Sequence, residues 1–195
     1  IHQAKYQLDI DAQNDTLIFS NLNQILQETN DKIEKSVVHS LLAELYLQYY
    51  QVNQWNIRQR TELKNFVPED LKVWSRNIFN DKIKEHLNAS LSQKKLLEKT
   101  QIDSYAENLN LGKDSRRFYP TFYDFLMRRA INIFAQIDTD KDLSQKLAQK
   151  QIDPKSLFET APRFVKLNFN LDPEDDPLQT LRVYQQHLIS LQERG

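Results

Sequence analysis

Residues 38–55, VHSLLAELYLQYYQVNQW, decide the fold class of this chain. Apolar side chains recur in this stretch at intervals of three, four and seven residues, and the polar side chains of Glu44, Gln48 and Gln51 fall on the other face. Such a period is typical of an amphipathic helix whose apolar stripe faces a partner helix. The apolar positions are Val38, Leu41, Leu42, Leu45, Tyr49 and Val52, and they continue toward Trp55. We expect Tyr46, Tyr49, Tyr50 and Trp55 mostly to pack inward rather than to form an exposed aromatic platform.

Three further stretches show the same spacing of apolar residues, at residues 17–28, 71–87 and 122–137. Asn30 and Asp31 interrupt the pattern between the first of them and the central stretch, and a break this short joins two helices into an antiparallel hairpin. Repetition of helical spacing along the chain therefore predicts an array of packed helices rather than one isolated helix.

Residues that commonly begin helices precede three of these stretches. Asp31 is followed three residues later by Glu34, and Thr121 is followed three residues later by Asp124, so each pair resembles a capping box. Pro68 is followed by two acidic residues, which suit the first turn of a helix and its dipole. These signals predict helix starts near residues 31, 68 and 121.

The composition supports an all-α fold. The chain of 195 residues has only two glycines, Gly112 and Gly195, whereas hairpins and barrels need glycine wherever φ is positive. It has no cysteine, which excludes disulfides, thiol catalysis and thiolate metal sites. Its 26 basic residues are balanced by 27 acidic ones, without the basic excess common in nucleic-acid-binding proteins. We therefore expect no nucleic acid partner.

The pattern divides the chain into three parts. Residues 1–137 are predicted to form a helical hairpin domain, residues 138–176 an irregular connection that packs on it, and residues 177–195 a last helix that could start a following hairpin. The connection contains an apolar segment, SLFETAPRFVKLNF, at residues 156–169. Antiparallel hairpins of this kind form either a bundle or a short array resembling tetratricopeptide repeats, although the 34-residue motif of those repeats does not recur.

One segment resembles half of a calcium-binding loop. Asp138, Asp140 and Asp142 match its first acidic positions, but Leu143 and Gln149 stand where such a loop needs glycine and a bidentate glutamate. Three close acids more often form a solvated turn, so we expect no calcium site.

The four histidines, His2, His39, His86 and His187, form no ligand pair at the spacing of four residues seen in helical zinc sites. His39 lies within the central helix, where a partly buried, hydrogen-bonded histidine is the common outcome. The chain also has no serine in a glycine-framed turn and no glycine-rich phosphate loop. We therefore predict no enzyme, no catalytic residue, no cofactor and no metal.

A basic cluster surrounds four aromatic residues before and within the predicted helix at residue 122. The basic members are Lys113, Arg116, Arg117, Arg128 and Arg129, and the aromatic members are Phe118, Tyr119, Phe122 and Tyr123. Basic and aromatic side chains together can bind single-stranded nucleic acid. We favour instead that the aromatic side chains fill the core and that the charges form a solvated helix end. A docking surface for an acidic partner is the alternative, with the acidic residues 172–176 as an internal counterpart.

Four blocks carry a resemblance to a known family. They are residues 39–61, HSLLAELYLQYYQVNQWNIRQRT; residues 118–134, FYPTFYDFLMRRAINIF; residues 161–169, APRFVKLNF; and residues 181–188, LRVYQQHL. In this order they resemble the N-terminal helical region of the large alpha-2-macroglobulin-like proteins of Bacteroidetes. The likeness covers most of residues 33–190 and depends on aromatic-rich blocks rather than on a catalytic signature.

The resemblance implies an exported, often lipid-anchored cell-envelope protein, with many β-sandwich domains after a helical front portion. Relatives trap proteases through a bait segment, and some bind them through a Cys–Gln thioester. Because this chain has no cysteine, it contains no such thioester, and no functional residue of the family carries over. The start at Ile1 and the lack of a signal peptide in residues 1–10 then indicate a fragment of a longer protein.

Three readings of function remain open from the sequence. The first is a non-catalytic scaffold or interaction region of such an envelope protein. Its partners would be other domains of the same chain, another envelope protein or a protease bound by the parent, and membrane contact would occur only through an anchor outside residues 1–195. The second is an independent, TPR-like adaptor that holds a partner peptide between helices. The third is a helical enzyme whose site assembles only in the fold.

Overall fold

The computed structural model describes residues 15–62, 66–105, 112–137, 143–169 and 176–194. Within these ranges the chain forms nine α-helices and three short 3₁₀ turns, and the only β-type pairing is one isolated bridge between Gln101 and Thr121. The prediction of an all-α fold is confirmed. None of the described helices combines the length and the apolar character that a membrane span requires.

The chain divides into two compact units, residues 1–97 and residues 98–195. The helices of the first are α1 (Asp15–Glu28), α2 (Lys32–Arg58) and α3 (Arg76–Leu91), and α4 (Lys94–Lys99) carries the boundary. The helices of the second are α5 (Ser115–Phe118), α6 (Phe122–Phe134), α7 (Leu143–Gln149), α8 (Ala161–Phe164) and α9 (Asp176–Arg194). The division thus falls inside α4, whereas the sequence pattern predicts one helical domain over residues 1–137.

Helix α2 is the centre of the first unit and packs against both α1 and α3. Aromatic rings dominate the contact: Phe19 of α1 stacks on Tyr46 with ring centroids 4.5 Å apart, and Phe79 of α3 stacks on Tyr49 at 5.6 Å. Such pairs add about 0.5–1.5 kcal/mol each to the free energy gained by burying their area. Leu45 and Trp74 are both buried.

Helix α2 starts where the sequence predicts, with a variation on the capping box. Asp31 Oδ1 accepts hydrogen bonds from the backbone N–H of Ile33 at 2.7 Å and of Glu34 at 3.3 Å. The Glu34 carboxylate accepts a hydrogen bond from the Thr29 hydroxyl, and that hydroxyl accepts one from the Asp31 N–H at 3.2 Å. Thr29 therefore relays the contact that Glu34 makes directly in a capping box.

The predicted helix start at Pro68 is wrong, because α3 begins only at Arg76. Asp70 caps a 3₁₀ turn, Leu71–Val73, and Trp74 then takes an extended conformation. The Trp74 indole N–H donates to the Pro68 carbonyl at 2.7 Å, so burial of this ring folds residues 68–74 into a loop before the helix can start.

The prediction that the apolar stripe of α2 stays buried to its end is also wrong. Tyr46, Tyr49 and Tyr50 are buried, but Val52 is 85% and Trp55 is 77% exposed. The contacts of Phe79 with these tyrosines place the start of α3 level with the middle of α2. Ile57, near the end of α2, is fully buried, so the last turns of the helix still pack on the unit and Val52 and Trp55 lie on their outer side.

In the second unit α6 and α9 form the main helix pair. Helix α6 opens with the capping box predicted at Thr121 and Asp124, and both reciprocal hydrogen bonds are present. The apolar segment at residues 156–169 is held by Gln185 of α9, whose side-chain N–H groups donate to the carbonyls of Phe164 and Leu167 at 2.8 and 2.9 Å. The last helix therefore packs within this unit.

Candidate functional site

The densest group of interacting polar side chains surrounds the carboxylate of Asp124, which is fully buried at the start of α6. Arg194 donates to it from both terminal nitrogens, at 2.9 Å to Oδ2 and 2.5 Å to Oδ1. His187 Nε2 lies 3.1 Å from Oδ1, and the Thr121 hydroxyl donates to Oδ2 at 2.7 Å. We call these four residues the Asp124 cluster.

The Asp124 carboxylate and the Arg194 guanidinium form an ion pair that is charged at neutral pH. Burial favours the neutral acid, but hydrogen bonds from His187, Arg194 and Thr121, together with the positive charge of Arg194, hold the pKa of Asp124 well below its usual value. The hydrogen bond to Asp124 likewise raises the pKa of Arg194. A carboxylate this acidic is a poor general base near neutral pH, where catalysis needs a pKa near the working pH.

A serine, a histidine and an aspartate lie near one another here, but they do not form a catalytic relay. The Ser190 hydroxyl is fully buried and donates to the Glu98 carboxylate at 2.5 Å, not to His187. In a nucleophilic triad the serine hydroxyl must reach the histidine nitrogen. His187, Ser190 and Arg194 are instead spaced along one face of α9, where they bind it to α6 and to Glu98.

A second polar contact lies between α2 and α3 in the first unit. His39 Nδ1 and His86 Nδ1 are 2.9 Å apart, and their ring centroids are 5.1 Å apart. His86 is 7% exposed and its ring also lies against Tyr46, with centroids 5.6 Å apart, whereas His39 is half-buried. Sequence reasoning expected a partly buried His39 but did not join it to His86. We call these two residues the histidine pair.

The histidine pair is held in its neutral form. Burial, together with any positive charge on His39, lowers the pKa of His86 to about 4, while Glu85 acts in the opposite direction. Burial also lowers the pKa of His39, assisted by Lys35 and opposed by Glu85. Burial disfavours a charged imidazole, and a second positive charge beside it adds to that cost.

The exposed end of α2 is the third feature that can serve function. Val52 and Trp55 lie three residues apart and therefore project from one side of the helix. Exposed amide side chains surround them at Gln51, Gln54 and Asn56. Residues 51–57 contain no acidic or basic residue, and the nearest charge on this side of the helix is Arg58, three residues after Trp55. We call it the α2 end face.

The basic and aromatic cluster is only partly assembled. Phe122 and Tyr123 are buried, as the core interpretation predicts, while Phe118 is 61% exposed. Arg116 donates to Asp103 at 2.8 Å, and the Arg117 guanidinium lies 5.7 Å from the centroid of the Phe118 ring. The acidic counterpart at residues 172–175 lies outside the described residues, and so does the side chain of Asp176.

Two of the other sequence features also lie outside the described residues. These are His2 and the partial calcium loop at residues 138–142. In the part of the chain that the structure describes, no three histidine or acidic side chains come together as a metal site would require. The Asp124 cluster and the histidine pair each bring together residues that are far apart in sequence, and no short sequence motif identifies either contact.

Comparison with known proteins gave no relative. No protein-family model matches the chain, and no similar curated protein or solved structure was found.

Proposed function

We propose that this chain is a non-catalytic helical scaffold and interaction region of a large alpha-2-macroglobulin-like protein of the cell envelope. The Asp124 cluster supports the scaffold role, because its polar side chains form hydrogen bonds with one another between α6 and α9. The interaction part depends on the α2 end face. The envelope part depends on the four blocks that resemble that family.

The Asp124 cluster supports a mechanical role because its bonds connect elements that are far apart in sequence. Arg194 joins the last turn of α9 to the first turn of α6, and Ser190 joins α9 to Glu98. A charged, hydrogen-bonded contact of this kind fixes the register of two helices, and breaking it leaves a buried charge without compensation. A scaffold must hold its helices in one arrangement under load, and this cluster meets that need.

The α2 end face suits a partner with an uncharged, apolar surface. A partner's charge placed over Val52 and Trp55 would lose its water and find no opposite charge among residues 51–57; the nearest charge on this side is Arg58, at the end of the helix. Tryptophan is also one of the residues enriched at the centres of protein interfaces. We propose that the occupant is an uncharged apolar segment from elsewhere in the same long chain, which binds over Val52 and Trp55.

Photo-cross-linking in the full-length gene product tests this contact. The residue at Trp55 is replaced by benzoylphenylalanine, and Lys32, exposed at the other end of the same helix, is the matched control position. We expect position 55 to give one reproducible product with an apolar segment of the same chain, and position 32 to give none. Equal labelling at both positions, or capture of a strongly charged segment, would contradict the proposed occupant.

The sequence of the complete gene tests the envelope assignment separately. A signal peptide, followed by a much longer chain rich in predicted β-sandwich domains, is the expected result. A product that ends near Gly195 would contradict membership of a macroglobulin-like protein, and it would favour the independent TPR-like adaptor.

A further inference from the structure

We propose that the histidine pair is an acid-sensitive latch between α2 and α3: the pair stays closed while its two facing nitrogens share one proton, and it opens when both rings become protonated. The inference concerns regulation of the first unit and does not depend on the proposed function.

The geometry sets how many protons the closed pair can hold. A neutral imidazole carries one N–H, so one ring of the pair donates through Nδ1 and the other accepts through Nδ1. The 2.9 Å separation of these atoms is that of a single N–H···N hydrogen bond. If one ring gains a proton, the bond survives, because the other ring can still accept. If both gain one, two N–H groups and two positive charges face each other, and the contact must open.

The groups around the histidine pair determine that both rings become protonated only at acidic pH. On α3 the neighbouring charges are Glu85 and Lys82, and on α2 the neighbouring charge is Lys35. Burial is the largest cause and lowers the pKa of both rings, while Glu85 alone favours their charged forms. From α1 the facing polar group is Asn23, which hydrogen-bonds Tyr46, and Tyr46 lies against the His86 ring.

Opening the latch affects the packing on which the unit depends. His86 lies against Tyr46, and Tyr46 contacts both Phe19 of α1 and Trp74 before α3. A charged His86 takes up water in place of this apolar contact. Separation at the histidine pair therefore loosens α3 against α2 and disturbs the aromatic core beside it.

The sign of the pH effect follows from the two states of His86. In the unfolded chain its pKa is near 6.5, and in the folded unit it is about 4. Between these values the unfolded chain binds more protons, so stability falls as the pH falls through this range. The folded-to-unfolded equilibrium constant should fall by roughly three-hundredfold, and the loss is complete below about pH 4.

Tryptophan fluorescence provides a selective readout, because both tryptophans, Trp55 and Trp74, belong to residues 1–97. Urea unfolding of the full chain is followed through this signal at several values between about pH 7 and about pH 4. The variants are His39→Gln and His86→Gln, and His187→Gln in the second unit is the matched control. We expect the acid loss in the wild type and the control, and a loss at least tenfold smaller in His86→Gln.

NMR titration of the imidazole signals measures the protonation of each ring directly and does not require His86→Gln to fold. In the folded wild type, His86 should stay neutral well below pH 6.5, and in His39→Gln its titration should move to higher pH because the facing charge is gone. Equal acid sensitivity in all four proteins, or a His86 that titrates at its ordinary pKa in the folded wild type, would overturn the latch.

Discussion

The two units bury polar side chains in opposite electrical states. In the first unit the histidine pair lies between α2 and α3 as two neutral rings, and burial lowers the pKa of both. In the second unit Asp124 lies between α6 and α9 as a carboxylate paired with Arg194. The difference shows that burial alone does not decide ionisation; the supply of opposite charge and hydrogen-bond donors does.

The two states predict different responses to acid. Because the folded pKa of His86 is lowered from 6.5 to about 4, the first unit loses stability as the pH falls through that window. The folded pKa of Asp124 lies below its ordinary value of 3.8, so its contribution is present above that value and is lost only as the pH falls further. The first unit should therefore weaken before the second.

The largest predicted effect is the loss of the charge at the centre of the Asp124 cluster. Asp124→Ala leaves Arg194 and His187 without their shared acceptor and should lower the free energy of unfolding by about 3–5 kcal/mol. Far-UV circular dichroism during urea unfolding measures the change. Asp103→Ala, which removes the exposed partner of Arg116, is the matched control. A loss near zero for Asp124→Ala would show that the cluster does not hold the helices together.

Substitutions in the aromatic core of the first unit come next. Trp74→Ala and Leu45→Ala each remove a buried side chain and should cost about 2–5 kcal/mol. Trp55→Ala is the control, since this ring is 77% exposed and its loss should change the free energy of unfolding by no more than about 0.5 kcal/mol. Equal costs for the two tryptophans would mean that the assignment of buried and exposed faces on α2 is wrong.

The hydrogen bond from Ser190 to Glu98 should have a smaller effect. Ser190→Ala changes the volume of the side chain little but removes a buried donor to the Glu98 carboxylate. We expect the free energy of unfolding, measured in urea, to fall by about 1–3 kcal/mol. Ser144→Ala, at an exposed position of α7, serves as the comparison. If both variants unfold at the same urea concentration, the bond contributes nothing to the attachment of α9.

The smallest effect belongs to the exposed ion pair of the basic cluster. Arg116→Ala breaks its bond with Asp103, and the side chain of Arg116 is 77% exposed. Exposed pairs contribute about 0–1 kcal/mol and are screened by salt. The difference in stability between wild type and variant should therefore shrink when salt is added, and a difference that grows would contradict a solvated surface pair.

The sequence predicted the helices better than their partners. The stripe from Val38 to Tyr49 and the capping box at Thr121 and Asp124 depend on neighbours within a few turns, and both are present in the structure. The exposure of Val52 and Trp55 depends on which side of the last turns of α2 packs on the unit, and there the buried side is that of Ile57. The apolar periodicity of α2 continues through Val52 and Trp55 and therefore does not show that Ile57 is the buried residue of the last turn.

The Asp124 cluster and the histidine pair could not be predicted from the sequence, because their members are far apart along the chain. Asp124 was read as part of a capping box, and that role is real, but its bonds to His187 and Arg194 span more than sixty residues. His39 and His86 are also far apart in sequence. The polar residues at positions 187, 190 and 194 share one face of α9, but no spacing rule identifies the acceptors that they bind.

Amide hydrogen exchange of the full chain, measured at several pH values, is the most direct test of whether the first unit buries neutral histidines and the second buries a charged carboxylate. Exchange is measured by mass spectrometry at about pH 7, about pH 5 and about pH 3, with correction for the intrinsic rate. We predict that protection in α2 and α3 falls between about pH 7 and about pH 5, while α6 and α9 stay protected until the pH is lower. Earlier loss in α6 and α9, or loss in all four helices at the same pH, would contradict the account.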